Sequence, residues 1–257
     1  MSEAVEYDLE AIETYPERVL TPDIGREKCQ GCQKLCKFYC YECYVAMPSI
    51  RDLIPKIELP LHLFVIKHFQ ELNGKSTAIH AKILANDSTT IHSYPSEDWL
   101  DIDASTCLLL YPGKDAVTME SLVENKTLDK YKNIIVIDGT WKQARGMLSP
   151  QMRQEHLIKH NKTIKDLLLN AQKVSIKPRK TKFWRHQTMG ESHLATIEAI
   201  YFLYKEYTEA SKNAKNDNID DLMFFFKYYY NVVQKNYIEN RDKKYTTKHS
   251  TDYIKYK

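Results

Sequence analysis

The sequence predicts an α/β fold built on a mostly parallel sheet, and three observations carry that expectation. Short β-rich runs recur along the chain: LHLFVIKH from Leu61, TCLLLYP from Thr106, NIIVIDG from Asn133 and AQKVSIKP from Ala171. The first three are continuously apolar, as strands covered on both faces are. Segments with apolar residues at helical spacing alternate with these runs, and that alternation makes the strands parallel.

Residues 1–24 read as an exposed acidic leader, whose first 14 residues contain no Lys or Arg. A cysteine-rich segment spans 25–50. Pro48, Pro55 and Pro60 then mark the passage into a main domain over 51–240. There Gly74-Lys75-Ser76-Thr77 looks like the end of a phosphate-binding loop. The Walker pattern, however, needs Gly where Phe69 stands, which excludes an ATPase of that type. The segment could still offer amides, Lys75 and hydroxyls to an anion. Residues 192–207 predict an amphipathic helix with Leu194, Ile197, Ile200, Tyr201 and Tyr204 on one side. Thr196 and Glu198 fall off that stripe, where a surface or capping role is the plain expectation. Residues 222–237 predict a second helix whose FFF and YYY triplets suit core packing. A Lys- and Tyr-rich basic tail, 241–257, closes the chain.

The stretch NIIVIDGTWKQARGM, 133–147, is the most informative. Its β-branched run ends at Asp138, and Gly139 and Thr140 turn the chain into a helix carrying Trp141, Ala144 and Leu148 at helical spacing. An acid is thereby placed at the carboxyl end of a buried strand, where open α/β sheets bind ligands. Helix capping by Asp138 or Thr140 is the structural alternative. Trp141 reads as a packing anchor. A second strand ends in Tyr111-Pro112-Gly113-Lys114-Asp115 at the same sheet edge. The third candidate loop is Lys182-Phe183-Trp184-Arg185-His186-Gln187.

Five of the six cysteines fall between Cys29 and Cys43. Cys29 with Cys32, and Cys40 with Cys43, form two CxxC knuckles that can deliver four thiolates to one Zn²⁺. Four thiolates leave no open coordination position, so such a zinc is structural. Cys36 is a spare or alternative ligand, and Cys107 an inert core thiol. The N-terminus lacks the apolar segment of a secretory signal, and the longest apolar run, 59–66, is too short to span a bilayer. A reducing compartment and no membrane association are therefore expected. Net charge is only +3, but residues 173–185 concentrate Lys173, Lys177, Arg179, Lys180, Lys182 and Arg185 around Phe183 and Trp184. Cations with embedded aromatics suit phosphate contact and base stacking.

CQGC with FYCYECYV, IKH with GKSTAIHAKIL, LLLYPG, IDGTW, KTKFWRHQ and LATIEAIYF occur in that order between residues 29 and 205. This ordered set resembles the DTW-domain family, in its branch of tRNA-uridine aminocarboxypropyltransferases. Two positions depart from the family pattern: Ala195, where STIEA is common, and Gly139, where many relatives carry Ser. The resemblance implies a SPOUT-like fold with a knotted cofactor-binding region, preceded by the small zinc-knuckle segment. It also implies S-adenosylmethionine as donor of a 3-amino-3-carboxypropyl group, tRNA as acceptor at a D-loop uridine, and a nuclear or cytoplasmic setting.

On that reading Asp138 is the candidate base for the uridine imide proton. Leu110, Tyr111, Pro112, Gly113, Asp138, Thr140, Trp184, Arg185, His186, Gln187 and Thr196 would line the cofactor site. Lys75, Lys180, Lys182 and Arg185 are the RNA-binding candidates, Arg185 being equally suited to the donor carboxylate. Two alternatives stay open at this level. One is a SPOUT-type RNA methyltransferase; the other is a zinc-dependent RNA-binding protein without catalysis.

Overall fold

Two small antiparallel ribbons come first in the computed structural model, which describes residues 4–95, 102–149, 162–185, 193–211 and 218–240. In the first, β1 (Glu27–Lys28) pairs with β2 (Leu35–Cys36); in the second, β3 (Tyr39–Cys40) pairs with β4 (Val45–Ala46). Each turn carries one CxxC knuckle. The residue after each second cysteine, Gln33 (φ 63°) and Tyr44 (φ 56°), is left-handed, so the two turns repeat one geometry.

The remaining strands are β5 (His62–His68), β6 (Thr89–Tyr94), β7 (Cys107–Leu110), β8 (Asn133–Asp138) and β9 (Gln172–Val174). They form one sheet in the order β6-β5-β8-β7-β9, with every neighbouring pair parallel. Among the described residues six α-helices accompany it: α1 (Ala78–Leu84), α2 (Met119–Glu124), α3 (Trp141–Leu148), α4 (Lys162–Asn170), α5 (Thr196–Ala210) and α6 (Phe224–Glu239). Successive strand residues point to opposite faces. Leu63, Val65, Leu108, Ile134 and Val136 accordingly join the core beneath α1, α2, α5 and α6. Phe64, Ile66, Leu109 and Ile135 join a second core with Met147 of α3 and Ile164, Leu167 and Leu168 of α4. Both strand faces are covered, which is why these runs read as continuously apolar.

Four of the five sheet strands coincide with the runs read from sequence. The exception is β6, an edge strand of sequence TTIHSY with only Thr89 buried. Its half-exposed face leaves no apolar run to detect. Helix α5 starts at Thr196, four residues later than expected, and Phe224, Phe225 and Phe226 of α6 are buried, as their triplet predicts. Cys107 lies fully in the core.

The expectation of an exposed leader is corrected. Leu9, Ile12 and Leu20 are buried in the core that contains α5 and α6, and Val5 makes a parallel bridge with Arg179. Buried Lys227 fastens this segment by donating to the Ile12 carbonyl at 3.0 Å. The acids stay on the outer side while the apolar residues between them fill the groove. His186, Gln187 and the basic tail lie outside the described residues. Among the described residues, no helix is long and apolar enough to cross a membrane.

The strand order positions the site. The chain leaves β5 toward β6 on one side and leaves β8 toward β9 on the other. A crevice therefore opens between the carboxyl ends of β5 and β8, the position where open parallel sheets bind ligands.

Candidate active site

Asp138 ends β8 at this crevice, in register with Lys67 of β5. It is 2% exposed. Ser76 Oγ, from the loop before α1, donates to one carboxylate oxygen at 2.6 Å. Thr196 Oγ1, the first residue of α5, donates to the other at 2.6 Å. Burial pushes this carboxyl above the usual range, while the two hydroxyls and Lys67 work in the opposite direction. Lys67, itself buried, donates to the Glu71 carbonyl at 2.9 Å. The Glu71 carboxyl is raised by burial and by the charge of Asp138. Thr77 Oγ1 accepts the Ile197 amide at 3.2 Å, so a second hydroxyl ties the same loop to α5. The hydroxyls of Ser76 and Thr77 are thus turned inward, which corrects the expectation that they face an external anion.

Local sequence explains the turn after Asp138. A Cβ on Gly139 would come within 2.9 Å of Gln143 Oε1 and 3.2 Å of His68 Cβ, so glycine lets the two strand ends approach. Thr140 then caps α3. Its hydroxyl accepts the Gln143 amide at 3.3 Å, and Gln143 Oε1 accepts the Thr140 amide at 2.7 Å. Trp141 lies 6.1 Å from the Tyr111 ring and 5.0 Å edge-on from His193. The loop after β7, the DGTW turn and the approach to α5 meet through these three rings. Leu110 and Tyr111 are half-buried there, and Pro112 and Gly113 are exposed.

The third candidate loop divides. Trp184 is half-buried and packs 5.4 Å from Phe226 and 6.0 Å from Tyr229 of α6. Arg185 is exposed and donates to the Lys75 carbonyl at 2.9 Å, which joins it to the loop that carries Ser76. Lys75 is also exposed. Lys182 is corrected as an RNA contact: it is 8% exposed, with its Nζ 3.4 Å from Glu6. Lys180 stands 4.0 Å from the same carboxylate.

Sequence reading missed Ser76 and Lys67 as companions of Asp138. Of the surface or capping role expected for Glu198, the capping half holds, since its carboxylate accepts the Ala195 amide at 2.7 Å, whereas the surface half is corrected, because Glu198 is fully buried. Only Ser76 left a signal, as a small hydroxyl residue just before a helix.

The knuckle sulfurs of Cys29, Cys32, Cys40 and Cys43 all lie within 4.8 Å of one another. A Cβ on Gly31 would come 3.0 Å from Cys43 Sγ, so the cradle is closed tightly around the cluster. The amides of Cys32 and Gly31 point at the Cys29 sulfur and hold its thiol down at about 6. Hydrogen bonding to the Cys32 and Cys29 sulfurs pushes the Cys43 thiol up to about 12. Four sulfurs this close form a donor set that fits structural Zn²⁺. The knuckles also border the site. Glu42 accepts Asn73 Nδ2 at 2.5 Å, and a Cβ on Gly74 would rest 3.9 Å from the Tyr41 ring.

A parallel sheet with a buried acid at its central crevice, fronted by a four-cysteine ribbon, defines a ligand-binding α/β domain of enzyme type. The DTW domain matches residues 37–234, and the chain belongs to the DTW domain family. It is 31% identical over 249 residues to tRNA-uridine aminocarboxypropyltransferase 1 of Xenopus tropicalis, across 81% of this chain and 80% of that protein. Proteins of the same name from Mus musculus and Homo sapiens are 30% identical over 251 residues, across 82% of this chain and 78% of each. No solved structure matches the chain.

Proposed function

We propose that this protein transfers the 3-amino-3-carboxypropyl group of S-adenosylmethionine to the imide nitrogen of a D-loop uridine in tRNA. The single observation that carries the chemistry is Asp138, a buried carboxylate with raised basicity at the carboxyl edge of the sheet. The curated relatives of that name, matched over four-fifths of the chain, support the substrate pair.

In the reaction, the uridine N–H loses its proton and the nitrogen attacks the γ carbon of the methionine moiety. An N–C bond forms, the C–S bond breaks with its electron pair going to sulfur, and 5′-methylthioadenosine departs. The sulfonium supplies the leaving group, so the protein must orient and deprotonate. Asp138 accepts the proton. Each of its oxygens takes one hydroxyl and keeps a second lone pair. Residues 110–113 and the DGTW turn, joined through Tyr111 and Trp141, would hold the donor, with Thr196 completing the wall. We read the sheet as SPOUT-like, with its knotted region formed by the segments after β7, β8 and β9. The parallel order and the meeting of those segments at Trp141 support this reading. Cys29, Cys32, Cys40 and Cys43 would hold a zinc that fixes the ribbon against the site. Lys75 and Arg185 are the cations placed to meet tRNA phosphates, and binding should weaken steeply with salt. Such a substrate sets the work of the protein in the nucleus or the cytoplasm.

The test is the small product released from S-adenosylmethionine in the presence of tRNA. Methylthioadenosine is the expected result. Release of S-adenosylhomocysteine would mean methyl transfer and overturn the reading.

A further inference from the structure

Phe69 is 60% exposed. A large aromatic side chain in water contributes nothing to the core, yet its backbone is firmly held. The Phe69 amide donates to the Tyr94 carbonyl at 3.0 Å, and the Glu71 amide closes a turn onto the His68 carbonyl at 2.8 Å. Its ring stacks on His68, with centroids 4.7 Å apart and planes inclined by 29°. His68 is the last residue of β5, at the point where a Cβ on Gly139 would come within 3.2 Å of it. The stacked pair therefore borders the turn that follows Asp138.

Two residues from Phe69, the Glu71 carboxyl feels three cations, Lys67, Arg185 and Lys75, and one acid, Asp138. Exposed Lys75 follows in the same loop, and exposed Arg185 is bonded to its carbonyl. Burial, and then the Lys67 charge, lower the pKa of His68 from its ordinary value. Its Nδ1 accepts the Gln70 amide at 3.2 Å, which leaves the ring proton on Nε2 as a donor. An aromatic face held open beside cations is the surface that single-stranded nucleic acid takes, each base stacking on a ring while its phosphate meets a charge. A uridine removed from its own stack must regain that contact on the protein.

We propose that Phe69, backed by His68, is the ring on which the target uridine stacks, making it a substrate-positioning residue beside Asp138. The inference rests on the function proposed above. Stacking on Phe69 orients the uracil plane, so that the imide nitrogen is presented to the donor, and His68 holds the Phe69 ring from behind.

The experiment compares wild type, Phe69→Ala and Phe69→Trp, using steady-state kinetics with tRNA, calorimetry with S-adenosylmethionine and thermal denaturation. Phe69→Ala is expected to lose about tenfold or more in kcat/KM for tRNA, with cofactor affinity and melting temperature unchanged. Phe69→Trp should restore most of the loss, because a larger ring stacks as well. Wild-type kinetics in Phe69→Ala would overturn the proposal and leave the function standing. A change in oligomeric state with unchanged tRNA kinetics would also overturn it, making Phe69 a contact between copies of the chain. No nucleoside product from wild type would overturn the functional reading and this inference with it.

Discussion

Two buried carboxylates flank the start of α5, and they are built for different work. Glu198 is fully buried and accepts four donors: Tyr7 Oη at 2.6 Å, Thr181 Oγ1 at 2.6 Å, and the Lys182 and Ala195 amides, each at 2.7 Å. Its lone-pair sites are filled, and it binds the N-terminal segment, the loop at Thr181 and α5 into one unit. Asp138 accepts two hydroxyls and stands at the sheet crevice. Burial raises the basicity of both. Burial is common to both; what separates them is spare acceptor capacity, which Asp138 keeps, as the base proposed for it requires.

The largest contrast lies in turnover. Asp138→Asn keeps the shape and removes the proposed base, so kcat should fall by about a hundredfold or more, with S-adenosylmethionine affinity retained. Raising the pH should recover part of the rate, because the uridine then ionises unaided. An undiminished rate in this variant would return Asp138 to a structural role.

A third buried group, His80 of α1, sharpens the comparison through pH. Burial, and then the Arg185 charge, lower its pKa to about 3 from 6.5. The unfolded chain thus binds the extra proton first, and stability should be complete above about pH 6.5 and decline as pH falls toward 3. The full shift is worth on the order of 5 kcal/mol. The two carboxylates act with opposite sign: their raised values make stability decline as pH rises from the ordinary carboxylate range through the raised one. Denaturation midpoints of His80→Phe across the acid range should show a shallower acid-side slope than wild type, and an unchanged slope would assign it wholly to other groups.

Glu198→Ala strands four donors and should cost about 3 kcal/mol of unfolding free energy, read by denaturant titration. Turnover per folded molecule should survive. Loss of turnover at full stability would invert the assignment of the two acids. The smallest effect belongs to the α3 cap: Thr140→Ala should cost about 1 kcal/mol, and no measurable change would mean that Gln143 alone holds the turn.

Much of this architecture is legible in the chain because its signals are local. Strands β5, β7 and β8 are apolar on both faces, and the knuckle spacing Cys29–Cys32 with Cys40–Cys43 brings four sulfurs together. What escaped reading depends on partners distant in sequence. Edge strand β6 has no apolar run. Leu9, Ile12 and Leu20 are masked by the acids between them, though they are buried in the core. Glu198 falls off the apolar stripe of α5 and is satisfied by groups as distant as Tyr7. Lys182, drawn into a basic cluster by composition, is held at Glu6. Ser76 meets Asp138 across 62 positions of sequence, a contact that only the parallel register of β5 and β8 creates.

The central claim is transfer of an aminocarboxypropyl group to a tRNA uridine, and mass spectrometry of tRNA nucleosides tests it most directly. After incubation with the protein and S-adenosylmethionine, the account predicts 3-(3-amino-3-carboxypropyl)uridine from wild type and almost none from Asp138→Asn. Unmodified tRNA from active, folded wild type, or a methylated nucleoside in its place, would contradict it.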